Sequence, residues 1–240
     1  MSTISRHHAD TIVKRKELKY FISYAQYISI ANTLRKILNP DRHNKNGKGY
    51  FVRSLYFDTL DNKSFEEKMA GIENKIKYRL RVYDINTAWV KFEIKSKFND
   101  SSVKEAALIR RKDAIEIQNQ NYEVLYNNDP ILKKAYRDFK KQHYRPVVVV
   151  EYEREAYTYD FNDIRIVFDK DLRATASNLD IFDKKSFLTS KIKKGLVVME
   201  IKYNNFIPRF IKKILQIPSF ERSAISKYCI GRLDVYDGIL

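Results

Sequence analysis

Residues 90–97 read VKFEIKSK. As a β-strand, this stretch puts Val90, Phe92 and Ile94 on one face and Lys91, Glu93, Lys95 and Lys97 on the other, because strand side chains alternate. The fold turns on what the charged face meets. It meets bulk water on an open sheet, or something anionic inside the protein.

Other stretches repeat the pattern. In IKYRLRVYD (76–84), Lys77, Arg79, Arg81 and Tyr83 oppose Ile76, Tyr78, Leu80 and Val82. In LVVMEIKY (196–203), Val198, Glu200 and Lys202 oppose Val197, Met199 and Ile201. Arg15, Glu17 and Lys19 share a face near the N-terminus, and Arg165, Val167 and Asp169 oppose Ile164, Ile166 and Phe168. An open sheet would turn these charges to solvent. A closed barrel would line its interior with them and cover its apolar outside with helices. The charged faces hold few Thr, Ser, Gln or Asn residues and several helices are available, which favours the barrel. Lined this way, it is a polyanion tunnel. Arg offers paired donors to phosphate oxygens and Lys a compact charge. Interspersed Glu would hold divalent cations that bridge phosphates. Bound phosphate or sulfate should stabilise such a fold.

The whole chain agrees. Its 240 residues carry 46 basic against 30 acidic side chains, a formal charge of +16 that suits a polyanionic partner. With 17 Tyr and 14 Phe but 6 Gly and 5 Pro, it favours long strands over loops. One cysteine, Cys229, excludes an internal disulfide. The four His residues, His7 and His8 among them, have no metal-ligand spacing. No apolar run approaches the roughly 20 residues of a membrane span, and the N-terminus has no secretory pattern. A cytoplasmic protein is expected.

Strands are expected at 14–21, 50–58, 76–84, 89–97, 102–110, 146–157, 164–174 and 197–204. Helices are expected near 23–38, supported by Ile28, Ile30, Ala31, Leu34 and Ile37, at 61–70 with an Asp or Asn cap, at 208–217 and near 223–232. Residues 112–142 read as a helical insertion. No linker or repeat divides the chain, so one domain over 1–240 is expected. Strands so close in sequence favour antiparallel pairing.

Nine motifs in order carry a resemblance: RKELKYFIS (15–23), VRSLYFDT (52–59), KYRLRVYD (77–84), FEIKSK (92–97), SVKEA (102–106), VEYEREAY (150–157), RIVFDKDLRA (165–174), VVMEIKYN (197–204) and SAISKYCIGR (223–232). Together they resemble the VTC domain, the polyphosphate polymerase domain of the triphosphate tunnel metalloenzyme superfamily, with the stand-alone length of bacterial members. The resemblance implies an α+β, mainly antiparallel, eight-stranded tunnel. Helices would pack outside it, with a C-terminal helix near the tunnel. It implies transfer of the γ-phosphate of ATP, or of another NTP, to a growing polyphosphate chain with Mn²⁺ or Mg²⁺. Lys19, Arg79, Arg81, Lys95, Lys104, Tyr152, Arg154, Arg165, Ser226 and Lys227 match phosphate- or nucleotide-binding positions. Glu200 matches the metal carboxylate. Arg79, Arg81, Lys95 and Lys202 are expected to act on the transferring phosphate. Ala224 stands where eukaryotic polymerases have Lys, which removes one charge.

Transfer to a terminal phosphate needs positioning and charge neutralisation more than a general base. Water as acceptor would make the same site a triphosphatase. Other tunnel enzymes carry Glu-x-Glu-x-Lys in the first strand, whereas here Arg15 stands where the first Glu would be, which favours the polymerase. A non-catalytic polyphosphate-binding module is the rival from another class. No nucleic-acid motif is present, and export of product would need a membrane partner.

Overall fold

A computed structural model describes residues 8–9, 16–44, 47–98 and 101–233. The expectations for His7 and Arg15 lie outside these residues. The strands are β1 (His8–Ala9), β2 (Lys16–Ser23), β3 (Asn39–Pro40), β4 (Tyr50–Asp58), β5 (Lys75–Val82), β6 (Trp89–Phe98), β7 (Ser101–Arg110), β8 (Arg145–Tyr159), β9 (Ile164–Thr175), β10 (Thr189–Ser190) and β11 (Leu196–Tyr203). Eight are long and three are two-residue pairings. The helices are α1 (Tyr24–Ile37), α2 (Lys63–Met69), α3 (Arg111–Gln118), α4 (Pro130–Gln142), α5 (Arg209–Ile214) and α6 (Lys227–Arg232). The fold is α+β, and the pairings registered between its strands are antiparallel.

The chain forms two compact units. The first comprises Met1–Val13, Arg53–Val150 and Ala174–Leu188; the second comprises Lys14–Val52, Glu151–Arg173 and Thr189–Leu240.

In the first unit the strand order is β1-β7-β6-β5-β4, followed by the opening half of β8. Residues 111–142 are helical as expected, with a 3₁₀ turn at Tyr122–Leu125 between α3 and α4. Asp129 caps α4 by accepting from the Ile131 and Leu132 amides, and Pro130 opens its first turn. Helix α4 buries Ile131, Leu132, Ala135 and Phe139. The Phe139 ring meets Phe57, Tyr78, Tyr122 and Tyr144 with centroids 4.9–5.2 Å away. This aromatic core packs behind the apolar faces of β5 and β6 and leaves their other faces for charge.

In the second unit the closing half of β8 is followed by β9, β11 and β2. Helix α1 packs Tyr27, Ile30, Ala31 and Leu34 into a core with Tyr20, Ile22, Ile166, Phe168, Val197, Met199 and Ile201. Ile28 and Ile37, expected to support this helix from its apolar face, are 38% and 47% exposed. Ile30, Ala31 and Leu34 are buried as expected, and Tyr27 and Leu38 complete the buried stripe. Ser23 and Gln26 form a reciprocal capping box at the helix start.

Two helix ends differ from expectation. The α2 N-cap, Asn62, is left-handed and makes no side-chain cap. Asp58, at the end of β4, instead accepts from the Ser64 and Phe65 amides. The last helix begins at Lys227 and not near 223. The Ser223 amide donates to Lys19 O on β2, and Ser226 caps the helix by accepting from the Cys229 amide.

Candidate functional site

Part of each charged strand face is buried. Arg81, Glu93, Arg154, Asp169 and Glu200 are each at most 8% exposed, so they do not look at bulk water. Buried charges need partners, and each unit supplies them around carboxylates.

In the first unit, Glu93 of β6 is the centre. Antiparallel register sets Arg79 opposite Glu93, and Arg81 opposite Lys91. Arg79 Nε donates to Glu93 Oε2 at 2.6 Å, Arg81 NH1 lies 3.7 Å from the same oxygen, and Lys104 Nζ lies 2.7 Å from Oε1. Tyr56 and Ser54 on β4 accept from Arg79 and Arg81. Burial opposes the Glu93 charge, but Arg79, Arg81 and Lys104 outweigh it and hold the carboxyl well below the usual carboxylate range. Lys95 stands in register between Lys77 on β5 and Lys104 on β7. Like charges side by side across strands repel.

In the second unit, Arg154 of β8 grips Asp169 of β9 through two hydrogen bonds of 2.7 and 2.8 Å. Lys227 Nζ, from the first residue of α6, lies 2.5 Å from Asp169 Oδ2 and 4.0 Å from Glu200 Oε2. Both cations also approach the Tyr152 ring, at 5.2 and 5.1 Å. Lys202 Nζ is 2.9 Å from Glu200 and 3.8 Å from Glu17. Lys19 pairs in register with Glu200, lies 3.6 Å from Glu17 and donates to Ile225 O at 3.1 Å. Burial opposes the charges of Asp169 and Lys227, yet Arg154 and Lys227 hold Asp169 below the usual range, and Asp169 with Glu200 raises Lys227. Glu200 is likewise opposed by burial and held well below the usual range by Lys202, a hydrogen bond with Glu17, Lys19 and Lys227.

The expected residues are therefore gathered within their own units. Arg79, Arg81, Lys95 and Lys104 lie together in the first. Lys19, Tyr152, Arg154, Glu200, Lys202 and Lys227 lie together in the second, with Ser226 capping the helix that carries Lys227. Arg165 pairs in register with Lys202, but its guanidinium turns to Asp41 and Tyr50. Ala224 is exposed. Glu151 and Glu153 take the opposite face of β8 from Tyr152 and Arg154, as their parity requires, and pair with Arg173 and Lys170.

Sequence reasoning missed Glu93, Asp169 and Glu17 as site residues. Their signal was present, since each shares the parity of the basic residues beside it. A search for cations and a metal carboxylate passes over acids whose work is to hold cations in place.

Among the described residues, no group of three or more His, Cys, Asp or Glu side chains could hold a metal ion. Glu17 and Glu200 flank Lys202 Nζ, at 3.8 and 2.9 Å. They offer hard oxygen donors of the kind Mg²⁺ takes one or two of, with phosphate oxygens and water completing its shell. That donor set fits Mg²⁺ or Mn²⁺ when a phosphate chain is present.

A family model described as the VTC domain matches residues 14–236. No curated protein matches the sequence. Among solved structures, a candidate adenylate cyclase of Bacillus halodurans aligns over 89% of this chain and 96% of its own, at 13% identity and a TM-score of 0.52, a likeness of fold alone. One of Vibrio parahaemolyticus aligns over 93% and 100%, at 12% identity and a TM-score of 0.49. An inorganic triphosphatase aligns over 95% and 99%, at 13% identity and a TM-score of 0.34.

Proposed function

The chain belongs to the VTC-domain family, whose model covers nearly all of it, and we propose that it is an ATP-dependent polyphosphate polymerase. The observation that carries this reading is the excess of cations over carboxylates on the charged faces of β5, β6 and β7, where Lys77, Arg79, Arg81, Lys91, Lys95, Lys97 and Lys104 share a face with Glu93. Three cations converge on Glu93, beside the in-register row Lys77, Lys95 and Lys104. A polyanion bound to such a surface would stabilise it.

In this reading the basic residues hold the triphosphate of ATP, or of another NTP, extended. Arg79 and Arg81, two residues apart on one strand face, meet successive phosphates. Glu93 and Asp169 fix the directions of Arg79, Arg81, Arg154 and Lys227, so little reorganisation is needed as charge shifts. In the first unit Lys95, and in the second unit Lys202, 2.9 Å from Glu200, would each neutralise phosphate charge. A divalent ion held by Glu17 and Glu200 would supply further neutralisation at phosphate oxygens. The acceptor, a terminal phosphate, is already ionised near neutral pH, which suits a site without His. We place the protein on the cytoplasmic side, where ATP is available. With water as acceptor the same residues would act as a triphosphatase.

The test is a steady-state assay with Mn²⁺ beside a polyphosphate binding titration. Arg81→Ala should weaken binding and turnover together, because its guanidinium meets charge in ground and transition states alike. Glu200→Gln should cut turnover by about 10²-fold and leave binding largely intact. A Glu200→Gln variant as active as wild type would refute the assigned roles.

A further inference from the structure

We infer that a row of exposed aromatic rings beside α5 docks this protein on an anionic lipid bilayer. The row lies in the second unit and runs Phe206, Phe161, Tyr159, Phe210. Successive ring centroids are 5.6, 6.4 and 5.8 Å apart. Phe161, Phe206 and Phe210 are 51%, 54% and 46% exposed. Three half-exposed phenylalanines in one contiguous row are a patch, unlike single apolar residues scattered over a surface.

The row is held in place. The Asn162 side chain donates to Phe206 O at 2.8 Å, and the Asn204 amide donates to Asn162 O at 2.9 Å. The β8–β9 turn and the segment before α5 are thus tied together, and their rings are presented without an ordering cost at binding. Ile211 and Leu215 anchor α5 in the core, leaving Arg209, Phe210, Lys212 and Lys213 exposed on it.

Charge selects the occupant. Helix α5 carries exposed Arg209, Lys212 and Lys213 and no Asp or Glu. Asp160 and Asp163 flank Phe161 on the turn, so the cationic side of the patch is the helix side. Lysines are depleted from the cores of protein interfaces. Beside exposed aromatic rings they suit a bilayer surface, where rings enter the headgroup boundary and long cationic side chains reach lipid phosphates. The formal charge of +16 draws the whole chain toward such a surface. No helix among the described residues is long and apolar enough to cross a membrane, so the contact is peripheral. It would set a polyphosphate-handling site beside a membrane, but it does not depend on that site.

The test is flotation of the full chain with vesicles of phosphatidylcholine alone or containing phosphatidylglycerol, at physiological salt. Wild type should float with the anionic vesicles and not with the neutral ones. Phe161→Ser/Phe206→Ser and, separately, Lys212→Glu/Lys213→Glu should each lower the bound fraction at least about tenfold. Their melting temperatures and tripolyphosphate binding should match wild type. The lysine pair is exposed, so it remains informative if the phenylalanine variant folds poorly. The inference is overturned if wild type stays unbound, if it binds neutral vesicles equally, or if the phenylalanine variant floats as wild type does, which would mean generic basic attraction. It is also overturned if the phenylalanine variant changes oligomeric state on gel filtration without changing vesicle binding, since the row would then be a contact between copies of this chain.

Discussion

Arg154 and Asp169 face each other across β8 and β9 in a two-bond fork of 2.7 and 2.8 Å, with the carboxylate fully buried. Breaking a buried pair by removing one partner leaves the other charge uncompensated. Asp169→Asn removes the two-bond partner of Arg154 and leaves Lys227 only its longer carboxylate contact, to Glu200. It should cost about 3–5 kcal/mol of stability in urea denaturation, and millimolar tripolyphosphate should restore part of it by supplying anionic charge. A variant as stable as wild type would show that solvent already compensates these cations.

Acid should unfold the protein through three carboxylates. Glu93, Asp169 and Glu200 all have folded pKa values below their unfolded ones. The unfolded chain therefore takes up protons first, and stability falls as pH drops below about 4–5, near the unfolded carboxyl values. Lys227 and Arg154 are shifted upward. Their contribution is present below the unfolded pKa, about 10.4 for Lys, and is lost only above it. Melting temperature measured against pH should be flat from about pH 6 to 9 and fall steeply on the acid side. A midpoint near neutrality would contradict the assigned ion pairs.

Gly49 should resist substitution. Its φ is +87°, and a Cβ placed there would lie 2.9 Å from Arg154 O and from Glu153 Oε1. Its amide donates to buried Asn44, whose side chain in turn bonds Ala156 O. Gly49→Ala should destabilise by more than about 1 kcal/mol, whereas Gly47→Ala, with open space around it, should carry only its φ cost. Equal melting curves for the two variants would contradict the close approach to β8.

The preferred ligand should be a phosphate chain and not a nucleic acid. Binding of duplex DNA to a basic surface falls steeply with salt, while buried guanidinium–phosphate contacts are screened less. In a competition titration at physiological salt, duplex DNA should fail to displace labelled tripolyphosphate. Easy displacement would make the charged faces a general polyanion surface.

Much of this was legible in alternation. VKFEIKSK and IKYRLRVYD show a charged and an apolar face, and both strands form where expected. The resemblance located the cations that cluster, since Arg79, Arg81, Lys104, Arg154 and Lys227 all reach buried carboxylates. Three things were hidden. Asp169 is held partly by Lys227 of the last helix, which strand alternation does not signal. Asp58 caps α2 from the end of a strand, across a turn that local capping rules do not scan. The start of α6 is set by the Ser223 amide bonding to Lys19 O, more than 200 residues earlier. Arg165, placed by motif among the phosphate binders, meets Asp41 from a polar loop whose course the sequence does not dictate.

The most direct test of the central claim is to incubate the purified chain with ATP and Mn²⁺ and assay long-chain polyphosphate and free phosphate separately. The account predicts polymer that accumulates with ADP and little free phosphate. Free phosphate without polymer would make the protein a triphosphatase. Tight polyphosphate binding with neither product from any NTP would contradict the enzyme reading altogether.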